Sequence, residues 1–592
     1  MAWIFSAPAR RQAVTIVEFR SHPATLNHMT LPLILLAAIG VILLAERSAR
    51  HLPFAIAALS LCAAAISFIV GDFDRAILLA GLLTAAIAAA STIKHNYSAL
   101  KLVVTDLPLM FAGTARFFVA QYPRAVLSAL AGTAVLVLAA IGTLIHGTGP
   151  SIPLDVRVSF LSVSLICVAA AFRKSGGGTS FQRIMAQRRC FYSTFMASLI
   201  DPHSWRQAGR LALSDIASDP LPLMPPVPAR TFDYPDIVVI QHESIFDPRI
   251  YGLPIEPTVE AFLSPRNGLH GILNVDIFGG GSWQSEFSLL TGLSSASFGS
   301  RAYHLFKQGA GRFHNSLPHA LSALGYRTML ASSCRRSFLH YDAFYRSIGM
   351  HDRLFADDFP PPFDVSQFET TNSDATFLKA AFAAHAKGIA DDPAPRFLYA
   401  LTNFNHGPHN RRLAAPGHFE SERSFAASSL PDDQYVEYYT RLAETASTWE
   451  RLKSELATNF PKRPVIIVHY GDHQPVMAKR IERQLTLPDD ARRAFRTFYA
   501  IETLNIPPDQ LVSGPGANLD IAFLGTVALQ QAGLPLDPIF ATRASLLDHC
   551  RETYFASPSE RKRRFHRTLV NLGVIDTAPG APRSRYARMP TK

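Results

Sequence analysis

Four residues of this chain have the chemistry to hold a divalent cation beside a nucleophile: Glu243, Ser282, Asp472 and His473. Two carboxylates and an imidazole form a ligand set for a metal such as manganese, zinc or magnesium. A serine hydroxyl bound to such a metal loses its proton more readily and can attack phosphorus or sulfur. Each residue also has a plainer reading: Glu243 as a surface charge, Asp472-His473 as a helix cap, Ser282 as the N-cap after a glycine turn. Glu243 and the Asp472-His473 pair nonetheless sit where a site is expected. Glu243 ends the run Asp236-Ile-Val-Val-Ile-Gln-His, and Asp472-His473 ends Pro464-Val-Ile-Ile-Val-His-Tyr-Gly. Both runs are apolar and β-branched, as buried parallel strands are, and ligands of open α/β sheets gather beyond the carboxyl ends of such strands.

Ser282 lies in Phe278-Gly-Gly-Gly-Ser282-Trp-Gln-Ser-Glu-Phe287. The glycines let backbone amides approach an anion and give the serine a tight turn before a helix expected from Gln284 to Leu290. The segment is not a lipase-type Gly-x-Ser-x-Gly elbow, because Gln284 stands at the last glycine, and no Gly-Lys-Ser/Thr makes it a Walker loop. Asn405-His-Gly-Pro-His409 follows the apolar run 397–401. Its His406 and His409 could donate to a phosphate or a leaving group near neutral pH; surface histidines are the alternative. Arg335 and Arg336 follow another expected strand, 328–331, and suit anionic oxygens, unless they are a solvated pair.

The elements that must carry these residues are legible too. Helical patterns at Ser316 to Leu324 and Gln434 to Leu456 alternate with apolar runs at 397–401 and 498–501. An α/β helix-sheet-helix sandwich follows. The 592 residues are too many for one ordinary domain, and 48% hydrophobic content with 17% charge leans toward a membrane protein. The apolar residues concentrate in the first third. Leu31 to Ala45, Pro53 to Val70, Ala76 to Ala90, Val126 to Ile145 and Ser159 to Phe172 make about five α-helical spans, the first and third being short for the roughly 20 residues a bilayer core needs. The mixed segment ahead of the first run, and the spans after it, do not suit a cleavable signal. Lysine and arginine are abundant on both sides of the later spans, so charge selects no orientation.

The expected organisation is an N-terminal segment (1–28), a transmembrane domain (29–172), an interfacial helix and Pro-rich linker (173–230), a catalytic domain (231–545) and a basic tail (546–592). Phe181, Ile184, Met185, Phe191, Phe195 and Met196 recur at helical spacing. They suit a helix lying on the membrane surface, with Arg188 snorkelling, or equally a core-facing helix. Pro220 to Pro228 reads as a stiff linker. The net charge of +11 includes Arg561, Lys562, Arg563, Arg564, Arg567, Arg583, Arg585 and Arg588 near the C-terminus. That tail could hold anionic lipid or glycan, or be solvated and disordered. No aromatic-interleaved reader accompanies the charge, so nucleic acid is not an expected partner. Cys62, Cys167, Cys190, Cys334 and Cys550 are scattered and form no disulfide framework. The residues imply no particular oligomeric state.

Taken in order, strand-Glu243, Gly-rich Ser282, the stretch from Phe338 to Gly349, His406 and Gly471-Asp472-His473 resemble the lipoteichoic acid synthase and phosphoglycerol transferase branch of the sulfatase superfamily, over residues 230 to 540. In that family a threonine nucleophile precedes a Glu-Phe pair by four residues; Ser282, Glu286 and Phe287 hold the spacing, with serine in place of threonine. The resemblance implies an alkaline phosphatase-like fold after about five membrane spans. It implies Glu243, Ser282, Asp472 and His473 as ligands of a divalent metal, manganese first and zinc or magnesium as alternatives, with Ser282 also forming a covalent intermediate. His406 matches the family's substrate histidine. The family's Phe-Trp-Asn-Arg motif is Phe338-Leu339-His340-Tyr341 here, so Arg335 or Arg336 would supply the lost charge. The Cys/Ser-x-Pro-x-Arg signature of formylglycine sulfatases is absent from Ser282-Trp-Gln-Ser-Glu286.

The function so implied is transfer of a phosphoglycerol-type head group from a membrane phospholipid donor to an envelope glycan or lipid acceptor. Phosphoethanolamine transfer uses the same parts. Hydrolysis of envelope esters, as a sulfatase or phosphatase, and a noncatalytic membrane sensor are the readings from other classes. The expected location is the bacterial cytoplasmic (inner) membrane, with the catalytic domain facing the periplasm or cell exterior.

Overall fold

Four of the apolar runs ahead of residue 175 fold as helices in the computed structural model, which describes residues 40, 42, 46, 51–98, 101–106, 123–146, 151–174, 190–201, 211, 213–230, 234–336, 338, 341–361, 363, 372–459, 462–506, 513–550 and 552–577. Among these, four helices are long and apolar enough to cross a membrane: Leu52–Val70, Phe73–His95, Val126–Ile145 and Leu154–Lys174. They answer to the second through fifth expected spans; the first, Leu31 to Ala45, lies almost wholly outside the described residues. Local chemistry sets their ends. Gly71 takes a left-handed conformation after Val70, and Asp72 accepts from the Asp74 amide at 2.8 Å at the start of the next helix, as capping rules require. Leu130, Leu138, Ile145 and Ile166 are exposed on the last two, as side chains that face lipid are.

The rest folds around one sheet. Its strands are β1 (Asp236–His242), β2 (Leu269–Asn274), β3 (Arg327–Ser332), β4 (Asp352–Leu354), β5 (Arg396–Leu401), β6 (Val465–Gly471), β7 (Arg496–Leu504), β8 (Gly514–Pro515) and β9 (Leu519–Asp520). The order is β4-β3-β5-β1-β6-β7-β2-β8, with β9 also on β2. From β4 to β6 neighbours run parallel, and β7 is antiparallel to both of its neighbours. All seven residues of β1 and of β6 are buried, which is why both read as continuous apolar runs. Ile237 and Val239 pack into one core with Phe287 and Leu290 of the helix Ser282–Thr291. Val238 and Ile240 pack into the other with Leu378, Tyr438 and Leu442. Helices therefore cover both faces, as expected of the sandwich.

Three segments depart from their simplest sequence readings. The helix Phe191–Ile200 buries every residue from Phe191 to Ser198; residues 181–189, with Arg188, lie outside the described residues. The Pro-rich segment is strapped to the domain. Leu221 donates to the Arg564 carbonyl and Val227 bridges Leu536. The basic stretch from Arg561 to Arg567 is neither disordered nor free of the fold: it forms the helix Glu560–Asn571. Lys562 is wholly buried, donating to the carbonyls of Tyr554, Phe555 and Ser557 and pairing with Asp215 at 2.6 Å. Arg583, Arg585 and Arg588 lie outside the described residues. Phe565, Leu569, Val574 and Ile575 are buried in the first core. Each such side chain contributes about 1.5–3 kcal/mol, which together rivals the ~5–15 kcal/mol holding a typical domain folded. Truncation before Glu560 is therefore expected to abolish cooperative unfolding in a thermal melt, whereas removal of a solvated tail would leave the melting temperature unchanged.

Candidate active site

The pairing of β1 with β6 runs in register from Asp236 opposite Val465 to His242 opposite Gly471. The next residues, Glu243 and Asp472, thus leave the carboxyl end of the sheet side by side, and the Asp472 amide still donates to the His242 carbonyl at 3.3 Å. The chain after Glu243 folds over the end of β6 so closely that a Cβ on Gly471 would run into the Ile245 carbonyl. Ser244 takes a positive φ of 57° there. Its amide donates to Asp472 Oδ1 at 2.7 Å and its hydroxyl to Glu243 Oε1 at 2.8 Å. The His473 amide also donates to Asp472 Oδ1, at 2.8 Å.

Ser282 arrives from the other side. Gly279, Gly280 and Gly281 have φ of 81°, 141° and 98°, a run of conformations open to glycine and strained for other residues. The Gly279 amide donates to the Gln474 carbonyl at 2.8 Å, which ties the glycine turn to the residue after His473. Gly281 is the N-cap and Ser282 the first helical residue, so its hydroxyl is directed to the site instead of capping the helix. Ser282 Oγ donates to Glu243 Oε2 at 2.8 Å and lies 3.4 Å from His473 Nε2. Ser285 Oγ, one helical turn on, donates to the Asp472 carbonyl at 2.6 Å. His473 Nε2 is 3.3 Å from Glu243 Oε1 and 3.6 Å from Asp472 Oδ2. Its Nδ1 donates to the Gln474 carbonyl at 3.1 Å, the outer hydrogen bond that orients a metal-binding imidazole.

One ligand atom each from Glu243, Asp472 and His473 lie within 4.8 Å of one another. Asp472 Oδ2 is buried with no hydrogen-bond partner among the described residues, an arrangement that native structures avoid without an ion or water. Burial and the neighbouring charge of Glu243 push the Asp472 carboxyl up to about 7. Burial pushes Glu243 the same way, but the charges of His406 and His473 outweigh it and hold this carboxyl well below the usual range. Burial opposes the charge on His473, yet Asp472 and Glu243 raise it to about 9. Two buried carboxylates thus face one imidazole and an unshared oxygen, and a divalent cation answers both the charge and the lone pair. Oxygen donors with a single nitrogen accept manganese, magnesium or zinc.

His406 follows β5, within electrostatic reach of Glu243, and its Nδ1 bonds the Gly407 carbonyl. His409 is buried, bonds the Asn405 carbonyl at 3.0 Å and meets the Tyr438 ring edge-on. Burial, then the Arg441 charge, push it well below the usual histidine range. Arg336 pairs with Asp342 and Asp358 at 2.9 and 2.6 Å and covers the Phe355 ring; Arg335 lies 3.4 Å from Asp357. Leu339 and His340 are outside the described residues. Tyr341 joins a network that sequence reasoning missed. Glu286 Oε1 accepts from Gln241 and Tyr341, each at 3.3 Å, and Oε2 from Tyr345. Gln241 Oε1 accepts in turn from Tyr399 and Tyr470 at 3.0 and 2.6 Å. Burial raises Glu286 to about 8, so at neutral pH this network braces the Ser282 helix without adding a third negative charge.

Strand-end carboxylates and a helix-start serine on a mostly parallel sandwich define an α/β domain of the alkaline phosphatase type. Residues 235–495 of the chain match the Sulfatase family model. It is 23% identical over 316 residues to an uncharacterized protein of Haemophilus influenzae, a match spanning 52% of this chain and 55%, about half, of that relative. Among solved structures it is similar to the lipooligosaccharide phosphoethanolamine transferase EptA of Neisseria meningitidis (TM-score 0.46, 11% identity, 81% of this chain and 95% of that one). It is similar also to the Streptococcus pyogenes phosphoglycerol transferase GacH in complex with sn-glycerol-1-phosphate (TM-score 0.43, 16% identity, 58% and 87%). A third is the lipoteichoic acid synthase LtaP of Listeria monocytogenes (TM-score 0.41, 14% identity, 52% and 76%).

The site chemistry gives a signed pH dependence. In the metal-free protein Asp472 loses its proton near 7 and His473 near 9, and a cation must displace both protons at pH 6. Metal affinity is expected to rise steadily from pH 6 to pH 9 in chelator-competition titrations, and Asp472→Asn to lower it by about 100-fold or more. A flat profile, or an unaffected variant, would contradict this ligand set.

Proposed function

We propose that this protein is a membrane-bound, metal-dependent phosphotransferase of the sulfatase superfamily that moves a phosphoglycerol-type head group from a phospholipid to an envelope glycan or lipid. The observation that carries it is the Ser282 hydroxyl, 2.8 Å from Glu243 and 3.4 Å from His473 at the start of a helix. Glu243, Asp472, His473 and Ser282 would hold the metal, manganese first and zinc or magnesium otherwise, which supplies positive charge against the phosphoryl oxygens and the serine alkoxide.

Ser282 releases its proton to bulk water and forms the Oγ–P bond while the bond from phosphorus to the diacylglycerol oxygen breaks. His406 donates the proton that this oxygen takes. The head group remains on Ser282 as a phosphodiester. The acceptor hydroxyl then passes its proton to His406 and bonds to phosphorus while the bond from phosphorus to Ser282 Oγ breaks, and Ser282 regains a proton from bulk water. His406 is the head-group contact in this reading. Arg335 and Arg336 stand on the exposed side with aspartate partners, and His409 supports the loop. The four apolar helices hold the domain where its donor resides, which we assign to the outer face of a bacterial cytoplasmic membrane.

Intact-protein mass spectrometry of the metal-loaded chain, exposed in turn to phosphatidylglycerol and phosphatidylethanolamine, tests the covalent step. We expect an adduct with the mass of the transferred head group, mapped to Ser282 and absent from Ser282→Ala, which retains measurable metal binding. An adduct that survives in the variant, or none with either donor, would overturn the reading; head group recovered only in water would make the protein a hydrolase.

A further inference from the structure

The segment from Phe404 to Leu413, which carries His406, has no regular backbone pairing of its own, and its carbonyls need donors from elsewhere. Four of them find theirs in one side chain. Arg441, on the helix Asp433–Asn459, is 1% exposed. Its Nη1 donates to the carbonyls of Phe404 at 3.4 Å and His406 at 3.0 Å. Its Nη2 donates to those of Pro408 at 3.4 Å and Arg411 at 2.7 Å, and Nε donates to Glu437 at 2.9 Å. All five N–H groups of the guanidinium are thereby used. Glu437 grips the end of the same segment, accepting from the Leu413 amide at 2.8 Å and from Arg423 at 2.7 Å.

A buried ion pair is a weak source of net stability compared with an apolar replacement, whereas a planar fork with five donors in fixed directions is well suited to fixing geometry. The carbonyl of His406 itself is among those held, and the imidazole is further tied through Nδ1 to the Gly407 carbonyl. Backbone and ring are therefore located together, on a helix that also packs under β1. We propose that Arg441 is a positioning residue that sets where His406 stands relative to Ser282 and the departing oxygen. The inference rests on the phosphotransferase reading, in which His406 moves a proton.

The test is a double-mutant cycle on the full-length, metal-loaded chain, using a fluorescent phosphatidylglycerol as donor. Arg441→Lys keeps the charge opposite Glu437 but cannot span four carbonyls. It is expected to lower kcat by about 100-fold, the usual penalty for a small misplacement, with KM and metal affinity unchanged. In a His406→Ala background the same change should cost less than about twofold, because coupled residues are not additive. Equal losses in both backgrounds would overturn the proposal and leave Arg441 a structural residue. Should Arg441→Lys not fold, the paired change Glu437→Gln with Arg441→Met removes both buried charges and carries the same expectation. Should the wild type turn over no donor, the phosphotransferase reading fails separately. Hydrogen exchange then decides the clamp: unchanged protection of amides 404–413 in Arg441→Lys would overturn it.

Discussion

The α/β domain is organised around two carboxylates forced together at the dry end of a strand pair. The β1–β6 register leaves Glu243 beside Asp472, and no water-exposed path screens their repulsion, since both are buried. Like charges in such a place either share a proton or recruit a cation. Much of the surrounding structure answers this constraint. The amides of Ser244 and His473 converge on one oxygen of Asp472, and the other has no hydrogen-bond partner among the described residues. His473 is the cationic neighbour of both, and the Ser282 helix points its first residue at the opening that remains.

The same constraint explains what lies behind the site. A third ionised carboxylate would be intolerable there, and Glu286 is kept protonated at neutral pH within its tyrosine and glutamine network. That network joins the strand bearing Glu243, the strand bearing Asp472 and the helix bearing Ser282. Polar groups buried in this way rigidify when every member is satisfied. The three parts of the site are thus braced from beneath by hydrogen bonds, while the Glu437–Arg441 pair holds the segment that carries His406.

What could be read from the chain alone followed the reach of local pattern. The runs ending at Glu243 and Asp472 announced buried strands with functional ends, because burial on both faces leaves no polar alternation. The glycine triplet announced a turn delivering Ser282, although the helix begins at Ser282 and not at Gln284, since Gly281 does the capping. Long-range partnership left no such trace. Lys562 looks like one charge in a basic tail until Asp215 and three carbonyls close around it. The aspartate partners of Arg336, Asp342 and Asp358, were equally invisible in the sequence. Arg441 sat in an unremarked helical pattern, and its four carbonyl partners are some thirty residues away. The membrane helices were legible because hydropathy over one turn after another needs no partner at all.

Glu243, Asp472 and His473 are placed to converge on one cation beside the Ser282 hydroxyl. Anomalous diffraction from crystals of the full chain grown with manganese tests this directly. A single strong peak enclosed by those three side chains, with Ser282 Oγ alongside, is the predicted result. The contradicting result is manganese bound elsewhere, or no peak there while the two carboxylates are satisfied by hydrogen bonds alone.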